Sequence, residues 1–129
     1  MLLELVSTAV GSTELVNAAS VEVTDLAYDT RTVRPGALFF CVRGGRFDGH
    51  ELAPQALAAG AVALVVDHPL DLPVPQVVVD DVRAAMPHAA TAFFGDPTKS
   101  LSVAAVTGTN GKTTSAYLLD AIVRAAGWN

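Results

Sequence analysis

The sequence predicts an α/β fold with a mostly parallel sheet. Short runs rich in alanine, valine and phenylalanine, at residues 37–42, 61–66 and 76–79, have the length and composition of buried strands. Segments with helical spacing separate these runs, and strands that alternate with helices are typical of parallel βαβ units. The predicted architecture is therefore a central sheet covered by helices.

The elements before the first central strand are short. Apolar residues within 2–10 predict an N-terminal helix, which a polar turn follows. Residues 21–27 alternate apolar and polar side chains and predict a half-buried strand. The composition of residues 34–36, Arg-Pro-Gly, predicts a turn directly before the strand at 37–42.

A loop and a helix follow that strand. Residues 43–50 contain three glycines and are expected to form a loop. Residues 51–59 predict a helix, in which Pro54 has to lie in the first turn to be tolerated. The next strand is predicted at residues 61–66.

The last helix of this region is predicted at residues 82–94. Asp80 or Asp81 can cap its first turn with a side-chain oxygen. Pro87 lies in its interior and is expected to kink or split the helix, because proline lacks the N–H that the helix needs there.

A glycine-rich segment near the end of the chain carries the strongest functional signal. An apolar run at residues 103–106, which predicts a buried strand, is followed after Thr107 by Gly108, Thr109, Asn110, Gly111, Lys112, Thr113 and Thr114. The glycines let the backbone N–H groups approach a phosphate, and the helix that begins there adds its positive end. Lys112 would reach the β- and γ-phosphates, and Thr113 would supply a hydroxyl to Mg²⁺. The segment predicts ATP and Mg²⁺ as cofactors.

The match to the general phosphate-loop pattern has one departure. The pattern has a glycine where this chain has Val106. The alternative is an ordinary turn between a strand and a helix that happens to carry a lysine. The order of strand, loop and helix favours the nucleotide loop.

The position of this loop predicts two domains. A nucleotide-binding sheet needs several strands after its phosphate loop, and only about 20 residues follow Gly108. We therefore expect residues 1–98 to form one complete domain and residues 99–129 to form the truncated beginning of a second. A turn-rich polar segment at residues 95–100 separates them.

Composition limits the classes of partner. The net charge of −5 and the pI near 4.9 argue against binding to nucleic acid. The longest apolar run is too short to span a bilayer, and the N-terminus lacks the basic region of a secretory signal. We expect a cytoplasmic monomer with small-molecule partners.

The cysteine and the histidines carry no catalytic pattern. Cys41 lies in an apolar run and is expected to pack in the core. His50, His68 and His88 are far apart in the sequence and lack metal-ligand spacing, so they predict no metal site. His50 is expected to be a solvated loop residue.

Two polar clusters follow predicted strands. Asp29, Thr30 and Arg31 can form a ligand-binding edge, or Asp29 and Arg31 can pair with each other in a turn. The loop between Gly44 and Gly49 can hold a diphosphate, or it can be an ordinary turn. The residues alone leave both alternatives open.

Over almost the whole chain these motifs resemble the Mur ligases, ATP-dependent enzymes that add amino acids to the peptidoglycan precursor. The resemblance rests on the segments at residues 29–31, 34–39, 44–50 and 56–60, which are similar to the UDP-binding N-terminal domain of the family. Residues 107–114 are similar to the start of its central ATPase domain. The resemblance implies a UDP-binding domain before a P-loop ATPase domain, and substrate contacts from Tyr28, Thr30, Gly45, Arg46 and Phe47.

Within the family, two branches compete. The phosphate loop and residues 94–97 resemble the branch that adds the third amino acid to UDP-N-acetylmuramoyl-L-alanyl-D-glutamate. Residues 46–50 resemble the branch that adds D-alanyl-D-alanine, and the loop side chains depart from the usual pattern of the first branch. We give the phosphate loop more weight.

The resemblance implies a reaction and its small-molecule partners: UDP-muramoyl dipeptide, ATP and an amino acid. ATP phosphorylates the free carboxylate of the dipeptide, and an amine then attacks the acyl phosphate to form an amide. Lys112 is the implied catalytic residue, residues 108–114 bind the phosphates, and Thr113 helps to hold Mg²⁺. The fragment alone is expected to be inactive. The alternative of a different class is a non-catalytic module that binds a UDP-sugar or a nucleotide.

Overall fold

The computed structural model describes residues 1–45 and 47–128 and divides the chain into two compact units, Met1–Pro97 and Thr98–Asn129. The first unit contains one five-stranded sheet with the strand order β1-β5-β4-β3-β2. The strands are β1 (Glu14–Val16), β2 (Asp25–Ala27), β3 (Ala37–Phe40), β4 (Ala61–Val66) and β5 (Gln76–Val78). The helices of this unit are α1 (Leu3–Ala9), α2 (Ala53–Ala58) and α3 (Val82–Phe94).

The sheet is mostly parallel, which confirms the predicted fold class. Strands β2, β3, β4 and β5 run parallel to one another. Strand β1 pairs with β5 in the antiparallel direction. The carboxyl ends of the four parallel strands therefore meet at one edge of the sheet. The loops that follow these strands are brought together there.

Both faces of the sheet are buried, because successive side chains of a strand point to opposite faces. Leu38 and Phe40 of β3 pack in one apolar cluster together with residues of α1 and α3. Phe39 of the same strand packs in a second cluster, together with Ala53 and Ala56 of α2. The helices thus cover the sheet on both sides, as the continuous apolar runs predict.

Several local predictions are confirmed. The strand at Ala61–Val66 and the helix at Val82–Phe94 have the predicted bounds. Asp81 caps α3, since its side chain accepts hydrogen bonds from the backbone N–H groups of Arg83 at 2.8 Å and Ala84 at 3.0 Å. Pro54 lies in the first turn of α2.

Two local predictions need correction, and one strand was missed. Only Asp25–Ala27 of the strand expected at 21–27 joins the sheet, because the backbone just before it bonds to the N-terminus, for example from Val23 N to Met1 O at 2.8 Å. Strand β1 has only three residues and was not predicted. Helix α3 continues through Pro87 without a split, because the proline removes a single N–H from a helix that is well capped and packed.

The second unit contains helix α4 (Lys112–Ala125) and a short 3₁₀ turn at Pro97–Ser100 that begins in the first unit. The strand expected at residues 103–106 is wrong. These residues form no β-ladder, and Val103 is 75% exposed. A strand needs a partner for its backbone hydrogen bonds, and no strand among the described residues supplies one.

Among residues 1–45 and 47–128, no helix has both the length and the apolar character that crossing a lipid bilayer requires.

Candidate functional site

A cavity of about 750 Å³ opens at the carboxyl edge of the sheet. Its walls come from the segment after β2, the loop after β3, helix α2 and the first turn of α3. In open parallel α/β sheets, ligands bind at the carboxyl ends of the strands. This position and the size of the cavity make it the candidate ligand site of the first unit.

Three of the predicted substrate contacts line this cavity. Tyr28 and Phe47 are 66% and 69% exposed, so their rings are available to stack on a planar ligand. Thr30 is half-buried, and its hydroxyl makes no hydrogen bond with any residue that the structure describes. The combination offers two aromatic faces and one free hydroxyl to a ligand.

Of the other two predicted contacts, one lies outside the cavity wall and one lies outside the described residues. Gly45 is exposed and is not part of the cavity wall, whereas its neighbours Gly44 and Phe47 are. Arg46 lies outside the described residues, so its proposed contact with a diphosphate stays a prediction.

Four lining residues were missed by the sequence analysis: Val42, Leu52, Gln55 and Arg83. Arg83 is the most informative of them, because it brings a guanidinium to the cavity from the first turn of α3. Its Nη2 donates a hydrogen bond to the Arg43 carbonyl at 3.3 Å. The rule that ligands bind at the carboxyl ends of parallel strands would have pointed to it, since α3 begins just after β5.

Asp29 and Arg31 both line the cavity and pair with each other. The Arg31 guanidinium donates to the Asp29 carboxylate at 3.0 Å from Nε and 2.5 Å from Nη2, and the backbone N–H of Arg31 donates at 3.0 Å. The turn pair that the sequence left as an alternative is therefore formed. It closes a 3₁₀ turn, Thr30–Thr32, that places Thr30 at the cavity wall.

The pairing of Asp29 with Arg31 can be tested by titration of the Asp29 carboxyl group. The side-chain hydrogen bond from Arg31, with the backbone one, lowers the Asp29 pKa from 3.8 to about 2. Because the folded-state pKa lies below the unfolded one, the pair stabilises the turn fully above about pH 4 and is lost as the pH falls towards 2. We expect the carboxyl ¹³C shift of Asp29 in the folded chain to titrate with a midpoint of about 2. Arg31→Ala should raise this pKa towards 3.8 but leave it lower, because the backbone N–H of residue 31 still donates to the carboxylate. A wild-type midpoint near 3.8 would contradict the pairing.

The loop after β3 is held by its own backbone. Arg43 and Asp48 form an isolated antiparallel bridge, and Gly44 N donates to Phe47 O at 2.9 Å. Gly49 N donates to Val42 O, also at 2.9 Å. These bonds form a small hairpin that presents Phe47 to the cavity.

The expectation of a solvated His50 is wrong. The residue is only 8% exposed. Its Nδ1 lies 2.6 Å from Asp48 Oδ1, and its Nε2 lies 3.2 Å from Asp67 Oδ1. His68, distant in the sequence, stacks on the His50 ring with a centroid separation of 4.6 Å. The fold brings these residues together because the loop after β3 lies beside the end of β4.

Cys41 is fully buried, as predicted. Burial, and then the nearby carboxylates of Asp48 and Asp67, raise the pKa of its thiol to about 12. The thiol therefore stays protonated at neutral pH and packs in the core with residues of α2.

The glycine-rich loop of the second unit has geometry that fits phosphate. Gly108 and Gly111 have φ angles of 149° and 75°, in the region that favours glycine. Gly111 is the N-cap of α4 and has no side chain to accept the first-turn N–H groups, and the structure gives these groups no other side-chain cap among the residues it describes. Lys112 Nζ donates to Gly108 O at 2.5 Å, which turns the ammonium back over the loop. Backbone donors and a cation thus converge where an anion could bind.

The arrangement defines a class of protein: a parallel α/β domain with a ligand cavity at its strand ends, joined to a nucleotide-type glycine loop. Residues 22–113 match the family description "Mur ligase family, catalytic domain". The chain belongs to the Mur ligase family.

Curated relatives and solved structures agree with this assignment. A UDP-N-acetylmuramoyl-L-alanyl-D-glutamate--2,6-diaminopimelate ligase of Geobacillus thermodenitrificans is 50% identical over 82% of this chain and 22% of its own length. The protein of the same name in Geobacter metallireducens is 42% identical over 98% of this chain and 25% of its own. A crystal structure of MurF from Acinetobacter baumannii has a TM-score of 0.76 at 28% identity, over 94% of this chain and 27% of that one.

The chain spans about a quarter or less of the length of these relatives. The names of the curated relatives agree with the branch that the phosphate loop favoured. The MurF structure, from the competing branch, is less similar in sequence.

Proposed function

We propose that the chain is the N-terminal part of an ATP-dependent ligase that adds the third amino acid to UDP-N-acetylmuramoyl-L-alanyl-D-glutamate. The observation that carries the proposal is the cavity at the carboxyl edge of the sheet, which Tyr28, Thr30 and Phe47 line. The relatives named for this reaction, at 42–50% identity, support it. They name 2,6-diaminopimelate as the amino acid that is added.

The first unit would bind the UDP part of the substrate. The exposed rings of Tyr28 and Phe47 would contact the uracil, and the free hydroxyl of Thr30 would donate or accept one hydrogen bond. Cationic side chains and the N–H groups of the loop after β3 would hold the diphosphate. Because Arg31 is paired with Asp29, Arg83 and Arg46 are the better candidates for this contact.

The second unit would hold ATP and Mg²⁺. The converging N–H groups of the glycine-rich loop and the Lys112 ammonium fit a triphosphate, and the Thr113 hydroxyl in the first turn of α4 fits one Mg²⁺ ligand position. ATP supplies the phosphoryl group that activates the substrate carboxylate for attack by the amine. Lys112 would stabilise the charge that develops on the γ-phosphate. Residues 1–98 and 99–129 would thus serve as substrate-binding and ATP-binding parts in a cytoplasmic enzyme.

The second candidate function is the addition of D-alanyl-D-alanine, which the similarity to MurF favours. The two reactions differ in the muramoyl peptide that is consumed. Assay of a full-length protein that carries this sequence, with the dipeptide and the tripeptide substrates in parallel, distinguishes them. Amide formation on the dipeptide alone supports the proposal.

Calorimetric titration of UDP-muramoyl dipeptide into the 129-residue chain tests the cavity directly. Thr30→Val removes one neutral hydrogen bond worth about 1 kcal/mol, and is expected to weaken binding about fivefold. If Arg46 holds the diphosphate as the resemblance implies, Arg46→Ala should remove a charge-assisted contact worth about 1.5–3 kcal/mol and weaken binding tenfold or more.

Two variants outside the cavity serve as matched controls. Thr8→Val alters a residue of α1. Arg34→Ala alters a residue that precedes the amino end of β3, whereas the cavity lies at the carboxyl ends of the strands. Both are expected to bind like the wild type. Absence of binding by a folded wild-type chain, or equal weakening in the controls, would overturn the assignment of the cavity.

A further inference from the structure

A cluster of two histidines and an aspartate lies beside the candidate substrate loop. The ligand atoms of His50, Asp67 and His68 all lie within 4.8 Å of one another. His50 belongs to the loop after β3, whereas Asp67 and His68 directly follow β4. The ligase reaction proposed above uses none of the three.

The protonation of His50 follows from its neighbours. Asp48 Oδ1 accepts the His50 backbone N–H at 2.9 Å and lies 2.6 Å from Nδ1. Oδ1 already accepts the backbone N–H, and a carboxylate oxygen can only accept hydrogen bonds, so it faces Nδ1 as an acceptor as well. Nδ1 therefore carries the proton, and Nε2 presents its lone pair. In agreement, Nε2 accepts a long hydrogen bond of 3.3 Å from the Asp67 N–H.

A carboxylate that orients a histidine from its far nitrogen is the usual arrangement behind a metal-binding imidazole. Here Asp48 occupies that position, and Nε2, which accepts the long hydrogen bond from the Asp67 N–H, lies 3.2 Å from Asp67 Oδ1. Two ligands that are each about 2.0–2.1 Å from a tetrahedral zinc ion lie roughly 3.3 Å apart. The separation of these two atoms therefore already suits a shared metal ion.

Asp67 and His68 complete the set. Arg43 pairs with the Asp67 carboxylate, with Nε 3.1 Å from Oδ2 and Nη2 3.3 Å from Oδ1. His68 Nδ1 is hydrogen-bonded to Asp67 Oδ1, and its side chain is half-exposed. In the tautomer that carries its proton on Nε2, His68 Nδ1 would present a lone pair to a metal ion in place of that hydrogen bond. The Arg43 guanidinium pairs with both Asp48 and Asp67, so each carboxylate that contacts His50 is shared with one cation.

We propose that His50 Nε2, Asp67 Oδ1 and His68 Nδ1 form a binding site for a divalent transition metal of the zinc class, with a fourth position open to water. Two imidazoles and one carboxylate select zinc, nickel or copper over magnesium, which prefers oxygen ligands. The site is separate from the Mg²⁺ that the ATP-binding loop would hold. A bound ion would tie the loop after β3 to the end of β4 and so steady one wall of the cavity.

Titration of ZnCl₂ into the untagged, metal-free 129-residue chain tests the proposal. Calorimetry is expected to give one saturable site, and MgCl₂ at the same concentrations is expected to give none. His68→Ala removes a ligand at a half-exposed position, and should weaken zinc binding at least about tenfold. His88→Ala removes an exposed histidine of α3 outside the cluster, and should bind zinc like the wild type. Circular dichroism checks that both variants are folded.

Cobalt(II) gives a second readout that reports the ligands themselves. The wild-type chain should show visible bands of a low-symmetry site with nitrogen and oxygen ligands, and no thiolate charge-transfer band, because Cys41 is not a ligand. Absence of a saturable zinc site, equal zinc affinity in His68→Ala, or a thiolate band would overturn the proposal. None of these measurements involves UDP or ATP, so their outcome is independent of the proposed ligase function.

Discussion

Replacement of Lys112 by alanine in a full-length protein that carries this sequence is expected to lower ATP-dependent amide formation by at least about 100-fold. The Lys112 ammonium lies over the glycine-rich loop, 2.5 Å from Gly108 O, where the terminal phosphates of ATP would bind. Removal of this charge withdraws stabilisation from the transition state of phosphoryl transfer. The affinity for UDP-muramoyl dipeptide should stay nearly unchanged, because the cavity is formed by residues of the other unit.

The measurement pairs a phosphate-release assay with calorimetric titration of the UDP substrate. Lys99→Ala, which alters the only other lysine of the chain, is the matched control and should keep most of the activity. Equal loss of activity and of UDP-substrate affinity in Lys112→Ala would show that the two sites have been misassigned.

The substitution Gly49→Ala is expected to destabilise the first unit by about 1–3 kcal/mol. A Cβ atom at Gly49 would lie 2.6 Å from Val42 N and 2.7 Å from Cys41 C. These are backbone atoms of the segment that directly follows β3, and they cannot shift as the far end of a flexible side chain can. Glycine is needed at position 49 because a side chain does not fit there. The backbone conformation does not require it, since the φ angle of Gly49 is not positive.

Gly45→Ala is the control in the same loop, because a Cβ atom there would meet nothing within 4 Å. We expect its free energy of unfolding to stay within about 0.5 kcal/mol of the wild type. Denaturant unfolding of both variants measures the difference. A Gly49→Ala chain as stable as Gly45→Ala would contradict the close approach of the two backbones.

Much of the fold could be predicted because its signals are local. The apolar run at Ala61–Val66 predicted β4 residue for residue, and the Asp81 cap marked the start of α3. The glycine-rich loop before Lys112 likewise placed the start of α4. In each case the necessary information lies in side chains a few residues apart, through periodicity, capping or backbone freedom.

The candidate site could be predicted only in part. Tyr28, Thr30 and Phe47 were expected from the resemblance to Mur ligases, and the structure brings them to one cavity. Arg83 was not expected, because it is 53 residues from Thr30 in the sequence and reaches the cavity only through the order of the strands. His50 was expected in solvent, but the structure buries its ring, with Nδ1 close to the Asp48 carboxylate and Nε2 close to that of Asp67.

The sequence by itself determined the fold class, the helices and strands with strong local patterns, the glycine-rich loop and the family. Only the tertiary structure decided the pairing of β1, the absence of a strand at residues 103–106 and the meeting of His50 with His68. The physical reason is the same in all three cases. Strand formation and side-chain clustering depend on partners that are distant in the chain, and neither the hydrogen bonds of a ladder nor the packing of two rings leaves a signature in local sequence.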